Sequence, residues 1–268
     1  MRIGITFPVY HSSDVLFDFT KQAVESFKSQ NHELHIFPVI NFTTPELYPN
    51  KEKFNLDPSV KEFLPIPNPK GNQVGAAWNH GIKLALDSGC DFVIVPNNDV
   101  VCHHKCIDNL VAFADMHPEF LLWSASEWID IRTLNGVKEA DITWSFDEHP
   151  HFSFFMVNKK TVDTVGMFDE NLRMAYFEDG DMHYRILLSG NKAGKTNAAK
   201  FYHYGSRTIK VDDQLFEQNK RSFEDNKNYI QLKWGITFEG KVYDPPEQMI
   251  ELGFKHPFDN QNKTLKDW

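Results

Sequence analysis

Asp91-Phe92-Val93-Ile94-Val95-Pro96-Asn97-Asn98-Asp99 is the stretch that decides how this chain folds. Residues 91–95 form a compact apolar run that reads as a strand, and Asn97-Asn98-Asp99 falls just past its carboxyl end. Upstream, Val74, Ala77, Trp78, Gly81, Ile82 and Ala85 recur at i, i+3, i+4, i+7, i+8 and i+11, one face of a helix, and the pattern stops at Ser88-Gly89. Further out lie a first strand over Arg2–Val9, a helix capped from Ser12, Ser13 or Asp14 with Leu16, Phe19, Ala23 and Phe27 on one side, and a second strand over residues 34–40. Strand, helix and strand in this order predict an α/β fold, a parallel sheet with helices on both faces. In such sheets ligands bind outside the carboxyl ends of the strands, which is where Asp99 falls.

Bulk composition narrows the function classes. The chain has 268 residues, enough for one large α/β domain or two small ones, and a formal net charge of −9. That charge leaves no global basic surface, so no nucleic-acid partner is expected. No apolar run approaches the ~20 residues of a membrane span, which leaves only peripheral membrane contact open. The opening stretch reads as a strand instead of a signal peptide, and three cysteines cannot all pair with one another, so a reduced, cytoplasmic location is expected. Cys102, His103, His104 and Cys106 lack a second ligand pair at zinc spacing; Ile107, Leu110, Val111 and Ala114 place the cluster on the first turn of an amphipathic helix.

The remaining pattern is less regular. Residues 43–70 read as loop around a short strand near 63–66, residues 120–124 and 152–157 as strands, and 212–232 as a polar helix. Besides Asp99, two places carry chemistry. Glu178-Asp179-Gly180-Asp181 opens a helix; acids there suit the helix dipole, but three carboxylates in four positions exceed what capping needs, and repulsion with burial can raise one of them toward a general base. His203 follows a strand over 198–202 and precedes Gly205, a strand end again. An imidazole beside a carboxylate suits Mn²⁺ better than Ca²⁺.

In this order and spacing the motifs resemble glycosyltransferase family 2, inverting enzymes of the GT-A fold. Thr6-Phe7-Pro8-Val9-Tyr10 matches that family's first strand and its P-x-Y end, and residues 72–82 its glycine and asparagine helix. Asn97-Asn98-Asp99 stands at the D-x-D position, Val165-Gly166-Met167-Phe168-Asp169-Glu170 at the G-x-F-D-E turn, and Tyr176-Phe177-Glu178-Asp179-Gly180-Asp181 at the E-D-x-D stretch, with Arg185 one turn on. His203 with Gly205-Ser206, and Lys233-Trp234-Gly235, are similar to the metal histidine and the K-W-G of many bacterial members. Two positions depart from the pattern. Asp99 is the one carboxylate of its triplet, and Ile40 stands where the family carries an Asp that contacts the base, with Asn41 the nearest polar group.

The resemblance implies a Rossmann-like, mostly parallel sheet within a catalytic domain over residues 1–210, divided into a nucleotide-binding half (1–100) and an acceptor-binding half (101–210). Residues 211–268 would be a C-terminal helical extension and tail. It further implies a nucleotide-sugar donor, UDP-linked by preference, held near Pro8, Val9, Tyr10, Asn41, Gly75, Asn79, Asn97 and Asn98. Asp99 and His203 would hold Mn²⁺ or Mg²⁺. Asp179 would be the base, with Glu178 or Asp181 as alternatives, and Trp144, Phe152 and Arg185 would meet a carbohydrate or glycan acceptor, in polysaccharide synthesis or glycan decoration. The residues leave two other classes open: a carbohydrate-binding relative without catalysis, and a nucleotidyltransferase, which is disfavoured because no glycine follows Tyr10 to build a phosphate loop.

Overall fold

A computed structural model of the chain describes residues 1–10, 13–29, 31–41, 64–65, 73–138, 142–205 and 213–234. The elements run β1 (Arg2–Val9), α1 (Asp14–Ser26), β2 (Glu33–Ile40), β3 (Leu64–Pro65), α2 (Val74–Asp87), β4 (Phe92–Pro96), β5 (Val100–Cys102) and α3 (Cys106–Met116). They continue with β6 (Phe120–Glu127), α4 (Ile131–Leu134), β7 (Phe146–Asp147), β8 (Phe154–Asn158), α5 (Lys159–Val165), α6 (Glu178–Leu188), β9 (Lys192–His203) and α7 (Asp213–Trp234).

Strand alternation divides the core into two layers. β1 sends Ile3, Ile5, Phe7 and Val9 to one face, where Phe17, Ala23 and Val24 of α1 and Ile107, Leu110 and Val111 of α3 meet them. β4 and β8 supply both faces in turn: Ile94, Phe154 and Met156 join that layer, while Val93, Val95, Phe155 and Val157 pack with Trp78, Ile82 and Ala85 of α2 and Met182 and Ile186 of α6. The second face of β1 carries small residues so that α2 can approach. A Cβ on Gly81 would meet Thr6 Oγ1 at 1.7 Å, and one on Gly4 would meet Ala85 Cβ at 2.6 Å. α1 starts where Ser13 Oγ accepts from Leu16 N at 3.5 Å, so Ser13 is the cap among the three residues that could have served.

The strands lie in the order β3-β2-β1-β4-β8-β6-β9-β5, with β7 on β9. β1, β2, β3, β4, β6 and β9 share one direction; β8, β5 and β7 oppose it. The result is an open, mostly parallel α/β sheet with helices on both faces. From β1 the chain steps outward to β2 and later returns on the other side to β4, so the order reverses between β1 and β4.

Two sequence expectations change. Cys102 ends β5 and only Cys106 opens α3, so the Cys-His cluster straddles a strand and a helix and does not share one helical turn. All three cysteines are buried and none is in a disulfide, and no group of three or more metal-ligating side chains forms among the described residues. The strand expected over 198–202 begins at Lys192 and runs through twelve residues, because it pairs with β6, β5 and β7 in succession. The tail beyond residue 234 and most of 42–72 lie outside the described residues. Among the described residues, no helix is long and apolar enough to cross a membrane.

Candidate functional site

β1, β2 and β4 are parallel neighbours, so their carboxyl ends deliver Pro8 and Tyr10, Asn41, and Asn97-Asn98-Asp99 to one edge of the sheet. β9 reaches the same edge at His203. Its antiparallel register with β5 pairs Val100 with His203, which sets Asp99 against the end of β9. Tyr204 N donates to Asp99 O at 3.0 Å, and Asp99 Oδ1 stands 3.0 Å from His203 Nε2. Asn97 Nδ2 lies 3.1 Å from the same ring nitrogen, while Asn98 turns away to donate to Thr20 Oγ1 at 3.1 Å.

Asp99 and His203 stand at hydrogen-bond distance, a spacing that two neighbouring ligands of one cation also have. Two ligands at right angles, each about 2.1 Å from an octahedral cation, stand about 3.0 Å apart; the observed separation is 3.0 Å. One carboxylate oxygen and one imidazole nitrogen would suit Mn²⁺ better than Mg²⁺, which prefers an all-oxygen shell.

The other wall is a turn and the start of α6. Met174, Tyr176 and Phe177 have φ of 57°, 82° and 77°, left-handed conformations that cost non-glycine residues about 1–3 kcal/mol each. Asn226 of α7 holds them there. Its Oδ1 accepts from Arg173 N at 2.8 Å, and its Nδ2 donates to the carbonyls of Arg173, Ala175 and Tyr176 at 2.8, 3.3 and 3.2 Å. On the far side Val74 N donates to Met174 O at 2.8 Å. The turn delivers Glu178 and Asp179 to a cleft of about 450 Å³ that Asp99 and His203 also line.

Burial, and secondarily the charge of Asp179, push the Glu178 carboxyl up to about 8; burial also raises Asp179. Glu178 therefore keeps its proton at neutral pH. The stability consequence has a definite sign. A carboxyl whose folded-state value exceeds its ordinary 4.5 favours the fold below about pH 4.5, and that contribution is lost as pH rises toward about 8. Glu178→Gln, neutral at every pH, is expected to melt on the order of 10 °C above the parent at about pH 9 and level with it at about pH 4. Melting curves at both pH values check this; an equal difference at both would mean that Glu178 titrates normally.

The structure separates the sequence candidates into two sets. Pro8, Tyr10, Asn41, Asn97, Asn98, Asp99, Phe152, Glu178, Asp179 and His203 line the cleft. Val9 is wholly buried in the core. Gly75 packs on Phe168 and Asp169, and Asn79 fastens the same turn, donating to Phe168 O at 2.8 Å and accepting from Phe168 N at 2.9 Å. Asp181 and Arg185 depart furthest from their expected roles. Arg185 is fully buried, with Nε 3.0 Å from Asp181 Oδ2 and Nη1 on the carbonyl of Val165, so it cannot meet an acceptor. Asp181 Oδ1 also takes Lys233 Nζ at 2.7 Å and Trp234 Nε1 at 3.0 Å, and Lys233 reaches Asp169 Oδ2 at 2.7 Å. This neutral set of two acids and two bases docks α7 on α6 and commits both oxygens of Asp181 to structural partners. Trp144 is 47% exposed and does not line the cleft. Trp123 is core, against Phe92 at 5.7 Å.

Of the segment before β8, sequence reasoning picked out Phe152 but not Pro150, His151 or Ser153. Because β8 runs against β4, its first residue pairs with Pro96, and residues 150–153 lie at the same edge as the strand ends. His151 there bonds Glu127 Oε2 at 3.1 Å, and its pKa is lowered, by burial first and by His203 in part, against the raising effect of Glu127. It missed Leu215 and Asn219 of α7 as well, which also line the cleft.

An open α/β sheet whose order reverses above such a cleft, with a carboxylate at the strand end, is the GT-A fold. Similar folds are found in a mannosyltransferase from Pyrobaculum calidifontis in complex with GDP-Man and Mn²⁺ (TM-score 0.52, 14% identity, 76% of this chain and 57% of that one). They also occur in S. aureus TarS 1-349 in complex with UDP (0.54, 14%, 97% and 78%) and in GalNAc-T7 with UDP, GalNAc and Mn²⁺ (0.57, 11%, 75% and 43%). The chain thus spans little more than half the length of the mannosyltransferase and under half of GalNAc-T7. No family model matches the sequence, and no curated protein matches it.

Proposed function

We propose that the chain is a metal-dependent glycosyltransferase that moves a sugar from a nucleoside diphosphate, UDP by preference, to an acceptor hydroxyl with inversion, as in glycosyltransferase family 2. The observation that carries this reading is a single cleft in which an Asp–His pair at cation-ligand spacing shares the space with two acids of raised pKa. The GT-A neighbours, solved with GDP-Man, UDP and Mn²⁺, support the class.

Pro8, Tyr10 and Asn41 would seat the nucleotide at the strand ends. Asp99 and His203 would hold Mn²⁺ or Mg²⁺, which supplies positive charge against the departing diphosphate. Asp179 takes the proton of the acceptor hydroxyl as that oxygen bonds to the anomeric carbon. The bond from that carbon to the diphosphate breaks on the opposite face, so the configuration inverts. Glu178, protonated beside it, can donate a hydrogen bond to a sugar oxygen.

Thermal denaturation tests the reading. A matching nucleotide sugar at 100 times its Kd should stabilise the fold by about 2.7 kcal/mol, more with MnCl₂ than without. Asp99→Ala is expected to keep the increment due to the nucleotide and lose the one added by Mn²⁺. A donor panel of UDP- and GDP-sugars that shifts nothing, with or without metal, overturns the reading.

A further inference from the structure

Asn219, Asn226 and Lys233 stand seven residues apart along α7, all on its buried side. Seven residues are close to two turns, so the three share one stripe. A stripe of amides and an ammonium on an inward face needs partners, because each unsatisfied buried polar group costs about 1–3 kcal/mol. Two of the three are served by the protein. Lys233 holds Asp169 and Asp181, and Asn226 holds the left-handed turn before α6. Asn219 is different: it is 6% exposed, it lines the cleft beside Leu215, and its Oδ1 meets no donor among the described residues.

A second orphan lines the same cleft. Trp78 of α2 is 3% exposed, and its Nε1 meets no acceptor among the described residues. An unserved acceptor and an unserved donor around one cleft complement a hydroxyl-bearing ligand, since each hydroxyl both donates and accepts. An isolated phosphate, which only accepts, would leave Asn219 Oδ1 as it is.

We propose that Asn219 hydrogen-bonds a sugar hydroxyl in the cleft and sets which sugar is taken, a specificity role for α7. This rests on the glycosyltransferase reading. The hydroxyl belongs to the sugar of the donor or to that of the acceptor, and the experiment separates the two. An amide that distinguishes a hydroxyl by its presence and direction rejects an epimer, because the mismatch leaves buried polar groups unpaired on both sides.

The test is calorimetry on the full chain in MnCl₂ with UDP, GDP, UDP-glucose, UDP-N-acetylglucosamine and GDP-mannose, then transfer to a panel of p-nitrophenyl glycosides. Asn219→Ala is expected to bind UDP and GDP as the parent does. If the hydroxyl is the donor's, affinity for the preferred nucleotide sugar falls about 5–150-fold; if the acceptor's, donor affinity holds and the acceptor KM rises by that factor. Asn219→Leu, which removes the orphan oxygen at similar volume, should melt no lower than the parent without ligand. Unchanged donor affinity together with unchanged acceptor KM overturns the proposal. So does an equal loss for UDP and UDP-sugars accompanied by a lower melting temperature, which would mark a structural role. A parent protein that binds none of the nucleotide sugars overturns the glycosyltransferase reading, and the proposal with it.

Discussion

Asp179→Asn is expected to lower turnover about 10²–10⁴-fold while donor affinity stays within about twofold. The substitution keeps shape and removes the carboxylate whose charge helps to hold the Glu178 proton. Glu178 cannot take over there, because its own proton is held up to about 8. Removing the neighbouring negative charge lowers the Glu178 pKa, so the residual turnover of the variant should climb with pH from a lower midpoint than that value. Release of nucleoside diphosphate measures turnover, and calorimetry measures donor binding. Normal turnover would mean that a different group accepts the proton.

Lys233→Ala carries the largest expected effect on stability. Lys233 sits between Asp169 and Asp181 at 2.7 Å from each, with its side chain fully buried. Truncation leaves two inward carboxylates with a single cation, Arg185, between them, besides the neutral donors Trp234 Nε1, Tyr229 OH at 2.8 Å from Asp169, and the backbone and side-chain amides of Asn171. Burial by itself pushes Asp169 up; Lys233 is the charge that holds it below its ordinary value. Breaking a buried pair from one side costs about 3–5 kcal/mol, or roughly 6–20 °C of melting temperature at this size. Amide exchange should rise first in α7 and in the turn that Asn226 fastens. A melting temperature within a degree or two of the parent would show that Asp169 and Asp181 are satisfied without the lysine.

Legibility followed periodicity and topology. β1, α2 and β4 could be read because apolar residues recur at two or at 3.6 in each, and Asp99 and His203 because both follow such runs. Their meeting needed the β5–β9 register, which three residues of strand do not announce in a sequence. Asp181 and Arg185 looked like a catalytic acid and an acceptor contact because they stand in an acidic motif. As an i, i+4 pair they were also legible as partners, and burial settles that role. Phe152 was picked out for its aromatic ring, whereas Pro150, His151 and Ser153 were not, because only the reversal of β8 brings them to the strand ends. Asn219 and Asn226 gave no signal at all: in a polar helix an inward Asn looks the same as an outward one until its neighbours are known.

The left-handed turn at 174–177 has a consequence for biosynthesis. It is fastened by Asn226, which the ribosome adds some fifty residues later. At about 5–20 residues per second, a nascent chain passes several seconds with α6 made and the backbone ahead of it held by the Val74–Met174 bond but not yet by Asn226. A fragment released before α7 has emerged would lack all four Asn226 bonds to the turn that positions Glu178 and Asp179.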